Sequence, residues 1–133
     1  MRELTKSDCA NVLIVAITPR LEGGAIDVEG AARNVRYLID AGADFIMPMC
    51  GTGLVYDATL EEYETTVGAF VDAAAGQALI VPGIGPGFGR SLEMAHIARA
   101  RGASRPLACH ARSAPGMSEC HRRQACAASP LLL

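Results

Sequence analysis

The sequence predicts an α/β fold with a parallel sheet, made of three β/α units. A short apolar segment, a glycine-containing loop and an amphipathic segment that ends at glycine follow one another three times within residues 1–103. The apolar segments are nearly free of polar residues, as in parallel strands that are covered on both faces. Residues 104–133 show neither helical nor strand periodicity. We therefore expect one ordered domain over residues 1–103 and an irregular tail, disordered or frameshifted, over residues 104–133.

The three strands are predicted at residues 12–16, 44–48 and 78–81. Apolar residues dominate all three, and a loop with glycine or proline follows each of them. Connections that contain a helix place successive strands parallel to one another. A sheet of only three strands is expected to leave unpaired backbone groups at the outer edges of strands 1 and 3.

The first helix is predicted to begin after Asp27, because its carboxylate can accept from the free N–H groups of a helix start. Gly42 is expected to end this helix, since glycine readily adopts the left-handed conformation that closes helices. Apolar side chains recur at helical spacing and form one stripe that is expected to face the sheet. The stripe consists of Val28, Ala31, Ala32, Val35, Leu38 and Ile39.

The second helix is predicted to begin at a capping box formed by Thr59 and Glu62. In this arrangement the threonine hydroxyl and the glutamate carboxylate each accept from the other residue's backbone N–H. Gly76 is expected to end the helix. Its apolar stripe consists of Tyr63, Val67, Phe70, Val71 and Ala74.

The third helix is predicted over residues 91–101 and is expected to end at Gly102. Its inner surface consists of Leu92, Met94, Ala95, Ile97 and Ala98. We interpret His96 as packed or exposed and not as catalytic, because outer helices seldom reach the strand ends. A fourth apolar strand is due next, but the early Pro106 and scattered polar residues predict none. We expect the reading frame, or the true end of the domain, to be lost near residue 103.

The composition indicates a globular chain with a small-molecule partner. Of the 133 residues, 50% are hydrophobic and 20% are charged, so a packed core is expected. The formal net charge of -2 argues against a nucleic-acid partner or an anionic membrane surface. No apolar run approaches the roughly 20 residues of a membrane span, and no secretory signal is seen. The cytoplasm is therefore the expected location.

The five cysteines are expected to be reduced, because their number is odd and no CxxC pair is present. We interpret Cys9 and Cys50 as small buried or loop residues. In the tail, cysteine and histidine are adjacent at residues 109–110 and 120–121, and a further cysteine stands at 126. These spacings match no familiar zinc site, so no metal is expected.

The chemistry is expected in the loops after the strands, because parallel α/β folds bind ligands beyond the carboxyl ends of their strands. These loops cover residues 17–20, 49–54 and 82–87. The backbone N–H groups and the hydroxyl of Gly51, Thr52 and Gly53 suit a carboxylate or a phosphate. A tight turn without a ligand uses the same residue types, so the pattern leaves both interpretations open. A dinucleotide-binding motif does not fit the third loop, because Phe88 stands where the last glycine belongs.

Several motifs occur together in a particular order. They are Val-Ala-Ile-Thr-Pro at 15–19, Gly-Ala-Ile-Asp at 24–27, Leu-Ile-Asp-Ala-Gly-Ala-Asp at 38–44, Gly-Thr-Gly at 51–53, Thr-Leu-Glu-Glu-Tyr at 59–63 and Pro-Gly-Ile-Gly at 82–85. Over about residues 12–103 the chain resembles the opening part of the dihydrodipicolinate synthase and N-acetylneuraminate lyase family. The resemblance implies the first three units of a (β/α)8 barrel. It also implies a homo-oligomeric lyase or dehydratase that forms a Schiff base with pyruvate or a related 2-keto acid, without a cofactor.

The resemblance assigns a carboxylate-binding role to the second loop. The family motif written GTTGE corresponds to residues 50–54 here, so Gly51, Thr52 and Gly53 are expected to bind the substrate carboxylate. Gly51 replaces the first threonine of the motif, as in the GGTGE motif of the sugar-acid (5-dehydro-4-deoxyglucarate) dehydratase branch, which the sequence therefore favours. Leu54 replaces the motif glutamate, which removes a carboxylate.

Thr18 and Pro19 match the end of the family's first strand and are expected to shape the pocket floor. A simple strand-terminating turn explains these two residues equally well.

The resemblance places the Schiff-base lysine and the catalytic tyrosine on later strands, and no residue of this chain matches them. Lys6 is the only lysine and precedes the first strand. Tyr37, Tyr56 and Tyr63 lie on or before helices 1 and 2. No catalytic residue is assigned, and the truncated chain is expected to be inactive alone.

The alternative is a non-catalytic protein with a structural or interaction role through its open sheet edges. A flavodoxin-like or anion-binding α/β module is the least favoured, because it needs more strands than the sequence predicts.

Overall fold

The computed structural model describes residues 12–104 and 106–108, and the fold is given for these residues. In chain order the elements are β1 (Ile14–Val15), α1 (Val28–Asp40), β2 (Phe45–Met47), α2 (Leu60–Ala74), β3 (Leu79–Ile80), β4 (Gly83–Ile84), α3 (Phe88–Ala100) and β5 (Leu107–Ala108). A short 3-10 turn, Gly51–Gly53, lies between β2 and α2. The three predicted strands and three predicted helices are all present.

The sheet is parallel, as the apolar strands predict. β2 lies between β1 and β3. In the register, Ile14 is opposite Ile46 and Phe45 is opposite Leu79. The structure is therefore α/β, with an open parallel sheet and the three helices in the connections between successive strands.

A further parallel strand, β5, follows α3, so the expectation that no strand forms after α3 is wrong. β5 pairs with β4, with Gly83 opposite Leu107, and the Ser104 N–H donates to the Ile80 carbonyl at 2.9 Å. The outer edge of the third strand is therefore partly paired: Ser104 donates to Ile80, but among the described residues no ladder is formed with β3 on that side. The prediction that this edge is open is corrected to that extent. Pro106 lies before the β5 ladder and not within it, so its missing N–H costs no ladder hydrogen bond.

Local capping signals place the starts of α1 and α2 correctly. The Gly30 N–H donates to the Asp27 carboxylate at 2.8 Å. Thr59 and Glu62 form the predicted capping box: the Glu62 N–H donates to the Thr59 hydroxyl at 3.1 Å, and the Thr59 N–H donates to the Glu62 carboxylate at 2.9 Å. Gly42 follows α1 with a φ of 90°, which confirms the predicted glycine stop.

α3 begins at Phe88, three residues before the predicted start at Ser91. Gly87, with a φ of 92°, precedes the helix, and the Ser91 hydroxyl donates to the Gly87 carbonyl at 2.8 Å. Ser91 therefore lies in the first turn and does not cap the helix. His96 is exposed, which is one of the two placements expected for it.

Alternate residues of a strand point to opposite faces of the sheet. The helices pack on the face that Ile46 and Ile80 line. Around Ile46 and Ile80, α1 and α2 contribute Val35 and Phe70 to a buried cluster. A second cluster joins α2 to α3 and contains Tyr63, Val67, Ile84, Met94 and Ala98. Val28 departs from its predicted stripe, since it is exposed at the first position of α1.

The opposite face of the sheet also carries buried apolar side chains. Phe45, Met47, Leu79 and Val81 form a third cluster together with Cys50. Cys50 is a buried, reduced thiol, as the sequence predicts. Cys9 and the cysteines and histidines of 109–126 lie outside the described residues.

No helix in the described part of the chain has the length and hydrophobicity that a membrane crossing requires. Within residues 12–104 and 106–108, no group of three His, Cys, Asp or Glu residues is arranged to hold a metal ion.

Candidate functional site

The loops after β1 and β2 are joined by one side chain, Thr18. Its hydroxyl donates to the Gly53 carbonyl at 2.8 Å. The same oxygen lies 3.3 Å from the sulfur of Met49, which is fully buried. Thr18, predicted to shape a pocket floor, therefore holds the second loop against the first strand.

The second loop forms a tight turn over the predicted carboxylate-binding residues. The Gly53 N–H donates to the Cys50 carbonyl at 2.8 Å, and the Leu54 N–H donates to the Gly51 carbonyl at 3.2 Å. Gly51 and Thr52 are exposed. No acceptor in the described part of the chain pairs with their two N–H groups or with the Thr52 hydroxyl. These three donors therefore belong to exposed residues at the carboxyl end of β2.

Gly53 differs from its two neighbours because it is buried and its N–H is already used within the turn. A β-carbon at this position would lie 3.2 Å from the Ala16 carbonyl oxygen and 3.5 Å from the Thr18 hydroxyl. Such a contact with backbone is tighter than a side chain usually accepts. Gly53 is therefore the residue that allows the turn to approach β1 closely.

Two non-glycine residues with positive φ stand on either side of this turn. Met49 has a φ of 54° and Leu54 a φ of 56°, the left-handed region that L-residues disfavour. Met49 is buried, as is Val55 directly after Leu54. Buried side chains on both sides therefore hold the loop in a conformation that its own residues do not favour.

Tyr56 brings a second hydroxyl to the loop. Its side chain is 44% exposed. A β-carbon placed on Gly51 would lie 3.8 Å from the Tyr56 hydroxyl oxygen, which is ordinary van der Waals contact. The sequence gives no sign of this approach, because residues five apart in a loop have no fixed spatial relation.

An ion pair joins the first loop to the start of α2. The Arg20 guanidinium donates to the Glu62 carboxylate at 2.5 Å and to the Gly24 carbonyl at 2.6 Å. The hydrogen bond from Arg20, followed by the backbone hydrogen bond from Thr59, lowers the pKa of Glu62. The Glu62 carboxylate in turn raises the pKa of Arg20. Sequence reasoning found the cap but missed Arg20, since a separation of 42 residues leaves no local signal.

The remaining predicted residue, Pro19, is half-buried, and its carbonyl accepts from the Asp27 N–H at 3.0 Å. Pro19 thereby closes the base of the loop between β1 and α1.

The third loop is tied to the second by the main chain and by Arg90. The Gly83 N–H donates to the Pro48 carbonyl at 2.9 Å. From the first turn of α3, Arg90 donates to the carbonyl of Ala58, just before α2. The loops after three neighbouring strands thus form one connected group at a single edge of the sheet.

These features define a class: an α/β protein with an open parallel sheet and a site in the loops at the carboxyl ends of its strands. The sequence model of the dihydrodipicolinate synthetase family matches residues 8–110. The chain belongs to this family, which confirms the resemblance stated from the motifs.

Relatives of two activities are similar to this chain. A probable 5-dehydro-4-deoxyglucarate dehydratase of Streptomyces griseus is 37% identical over 101 residues, which are 76% of this chain and 32% of the relative. A 4-hydroxy-tetrahydrodipicolinate synthase of Acidothermus cellulolyticus is 37% identical over 93 residues, 69% of this chain and 30% of the relative. The chain thus spans about a third of the length of these curated relatives.

A solved structure shows the same fold and a similar partial coverage. The dihydrodipicolinate synthase of Oceanobacillus iheyensis superposes with a TM-score of 0.76 and 28% identity, over 85% of this chain and 38% of that chain.

Proposed function

We propose that this chain carries the carboxylate-binding part of a Schiff-base lyase that acts on pyruvate-type 2-keto acids in the cytoplasm. One observation carries the proposal: Gly51 and Thr52 present two backbone N–H groups and a hydroxyl, without protein acceptors among the described residues, at the carboxyl end of β2. Thr18 fixes the turn that presents them. Gly53 serves this site by its close packing against β1.

The chemistry of such a lyase explains why these donors matter. A lysine amine condenses with the keto carbon, and the iminium then accepts electron density while a carbon–carbon or carbon–oxygen bond forms or breaks. The substrate carboxylate must be held in place while this happens, and fixed N–H donors do so without reorganising. Pro19 and Thr18 close the first loop beneath the site.

The amine itself has no candidate at the strand ends of this sequence. The only lysine, Lys6, precedes β1. We propose that the chain supplies the first three units of a (β/α)8 barrel, ending with the β5 segment, and binds a keto acid without forming the Schiff base alone. Residues 109–133, the rest of the predicted tail, lie outside the described residues.

One observation favours the dehydratase branch over the synthase branch: Gly51 stands where the GTTGE motif has a threonine. The sequence identities do not separate the two branches, because a dehydratase and a synthase are each 37% identical to this chain.

The proposal is tested with the full chain, pyruvate and borohydride. Reduction with borohydride converts a protein–pyruvate imine into a stable adduct, which mass spectrometry detects. We expect no adduct on this chain and a clear adduct on a full-length relative treated in parallel. An adduct that is lost in Lys6→Arg would assign the amine to Lys6 and contradict the proposal.

Binding is measured separately, by following the amide resonances of the ¹⁵N-labelled chain during titration with sodium pyruvate. We expect the Gly51 and Thr52 resonances to shift with pyruvate and not with methyl pyruvate, which lacks the carboxylate. If neither resonance responds to pyruvate, the carboxylate site is refuted.

A second candidate function is an interaction role through the exposed side of the first strand. Leu13, Val15 and Ile17 alternate along the strand and are 44%, 41% and 62% exposed. An apolar strand at a sheet edge favours association with further strands, including those of a second copy. Size-exclusion chromatography with light scattering tests this: a homo-oligomer that Val15→Lys dissociates supports it, whereas a monomer at all concentrations excludes it.

A further inference from the structure

The Tyr56 hydroxyl lies beside Gly51 of the proposed carboxylate site. Its hydroxyl oxygen is 3.8 Å from the place where a β-carbon on Gly51 would be, so the absence of a side chain at Gly51 leaves this hydroxyl next to the turn. Nothing in the described part of the chain forms a hydrogen bond with the Tyr56 hydroxyl. The side chain is partly exposed, so a ligand can reach it.

The position of Tyr56 is fixed by its neighbours on both sides. Val55 is fully buried, and Ala58 is 3% exposed. The Asp57 N–H donates to the Leu54 carbonyl at 3.1 Å, and Arg90 donates to the Ala58 carbonyl. The backbone on either side of the tyrosine is therefore anchored, and the ring is carried on a defined turn.

We propose that Tyr56 is a specificity-determining residue of this site, whose hydroxyl donates a further hydrogen bond to the carboxylate held by the N–H groups of Gly51 and Thr52 and by the Thr52 hydroxyl. This inference rests on the proposed function.

Several donors that converge on one group select for an acceptor. A carboxylate offers only lone pairs, whereas a carboxamide turns an NH2 group towards at least one of the donors. The site is therefore expected to prefer pyruvate to pyruvamide, and Tyr56 to contribute to that preference.

The test compares the full chain with Tyr56→Phe and with a matched control, Tyr37→Phe. Tyr37 is 73% exposed on α1 and lies outside the three loops. Pyruvate and pyruvamide are titrated separately while the Gly51 and Thr52 amide resonances are followed. The amide spectra of the free variants show whether each retains the fold.

We expect Tyr56→Phe to weaken pyruvate binding by about fivefold to tenfold, as for the loss of one partly exposed hydrogen bond to a charged group. Pyruvamide binding should change less than twofold, so the preference for pyruvate falls, and Tyr37→Phe should leave both unchanged. In the double variant Tyr56→Phe with Gly51→Thr, a hydroxyl returns beside the turn, and we expect part of the lost pyruvate affinity to return with it.

The failures are distinguishable. If Gly51 and Thr52 respond to pyruvate equally in the wild type and in Tyr56→Phe, the carboxylate site stands and the role of Tyr56 is refuted. If they respond in neither protein, the proposed function fails and the role of Tyr56 fails with it. An equal loss of pyruvate and pyruvamide binding would show that Tyr56 only supports the loop, which also overturns the proposal.

Discussion

Replacing Thr18 by valine is expected to loosen the second loop from the first strand. Valine keeps the shape of threonine but cannot donate to the Gly53 carbonyl, a hydrogen bond of 2.8 Å in the structure. Gly53 is buried against the Ala16 carbonyl, so water does not easily replace the lost donor. The substitution therefore isolates the contribution of one hydroxyl to the geometry of the site.

The expected loss in the free energy of unfolding is about 1–2 kcal/mol. A net hydrogen bond contributes about 1 kcal/mol, and a buried carbonyl without a partner adds to the cost. The gain from the extra methyl group is small, because Thr18 is only partly buried. For a domain of this size the loss corresponds to a melting temperature lower by about 4–8 °C for each kcal/mol.

Urea unfolding followed by circular dichroism measures the effect. Thr18→Ser keeps the hydroxyl and should lose less than about 0.5 kcal/mol, whereas Thr65→Val, at an exposed site on α2, should be nearly neutral. The reasoning is refuted if the valine variant lies within about 0.3 kcal/mol of the wild type, or if serine costs as much as valine.

Two further predictions concern the turn and the ion pair. Gly53→Ala should destabilise the fold by about 1 kcal/mol or more, because its β-carbon would lie 3.2 Å from the Ala16 carbonyl oxygen. The control Gly51→Ala should cost less than about 0.5 kcal/mol. Equal melting temperatures of the two variants would contradict this prediction. The pKa of Glu62 is lowered from its ordinary value of 4.5 by Arg20, so its charge stabilises the fold above that pH and this contribution is lost as the pH falls through the folded-state pKa. Glu62→Gln keeps a capping side chain but has no charge to lose. In urea titrations this variant should therefore lose less stability than the wild type between about pH 6 and pH 3. If both proteins lose the same amount, the stabilising role of the Glu62 charge is refuted.

Features encoded over a few residues were predictable from the sequence. The Asp27 cap and the capping box of Thr59 with Glu62 depend on side chains three residues from their partners, and both are present. The parallel order of the strands followed from their apolar character and from the helical connections.

Features that depend on long-range packing were not predictable in the same way. β5 forms although Pro106 argued against a strand, because a ladder of two residues uses main-chain groups and places few demands on side chains. The start of α3 was predicted three residues late, since Ser91 resembled a cap but lies in the first turn.

At the site, the sequence identified the loop but not its internal geometry. Gly51 and Thr52 are exposed, as a binding role requires, while Gly53 turned inwards. Thr18 holds the turn through a contact between residues 35 apart in the sequence. Tyr56 approaches Gly51 because of the path of an irregular loop. Neither contact has a local sequence signal. Binding itself remains a prediction for all of these residues.

The positive φ angles of Met49 and Leu54 have a consequence for protein engineering. Each left-handed residue costs roughly 1–2 kcal/mol in an isolated chain, so a synthetic peptide of this loop will not keep its shape. Transplanting the loop into another scaffold would therefore require the neighbouring strand with Thr18 and the pocket that receives Met49 to be transplanted with it.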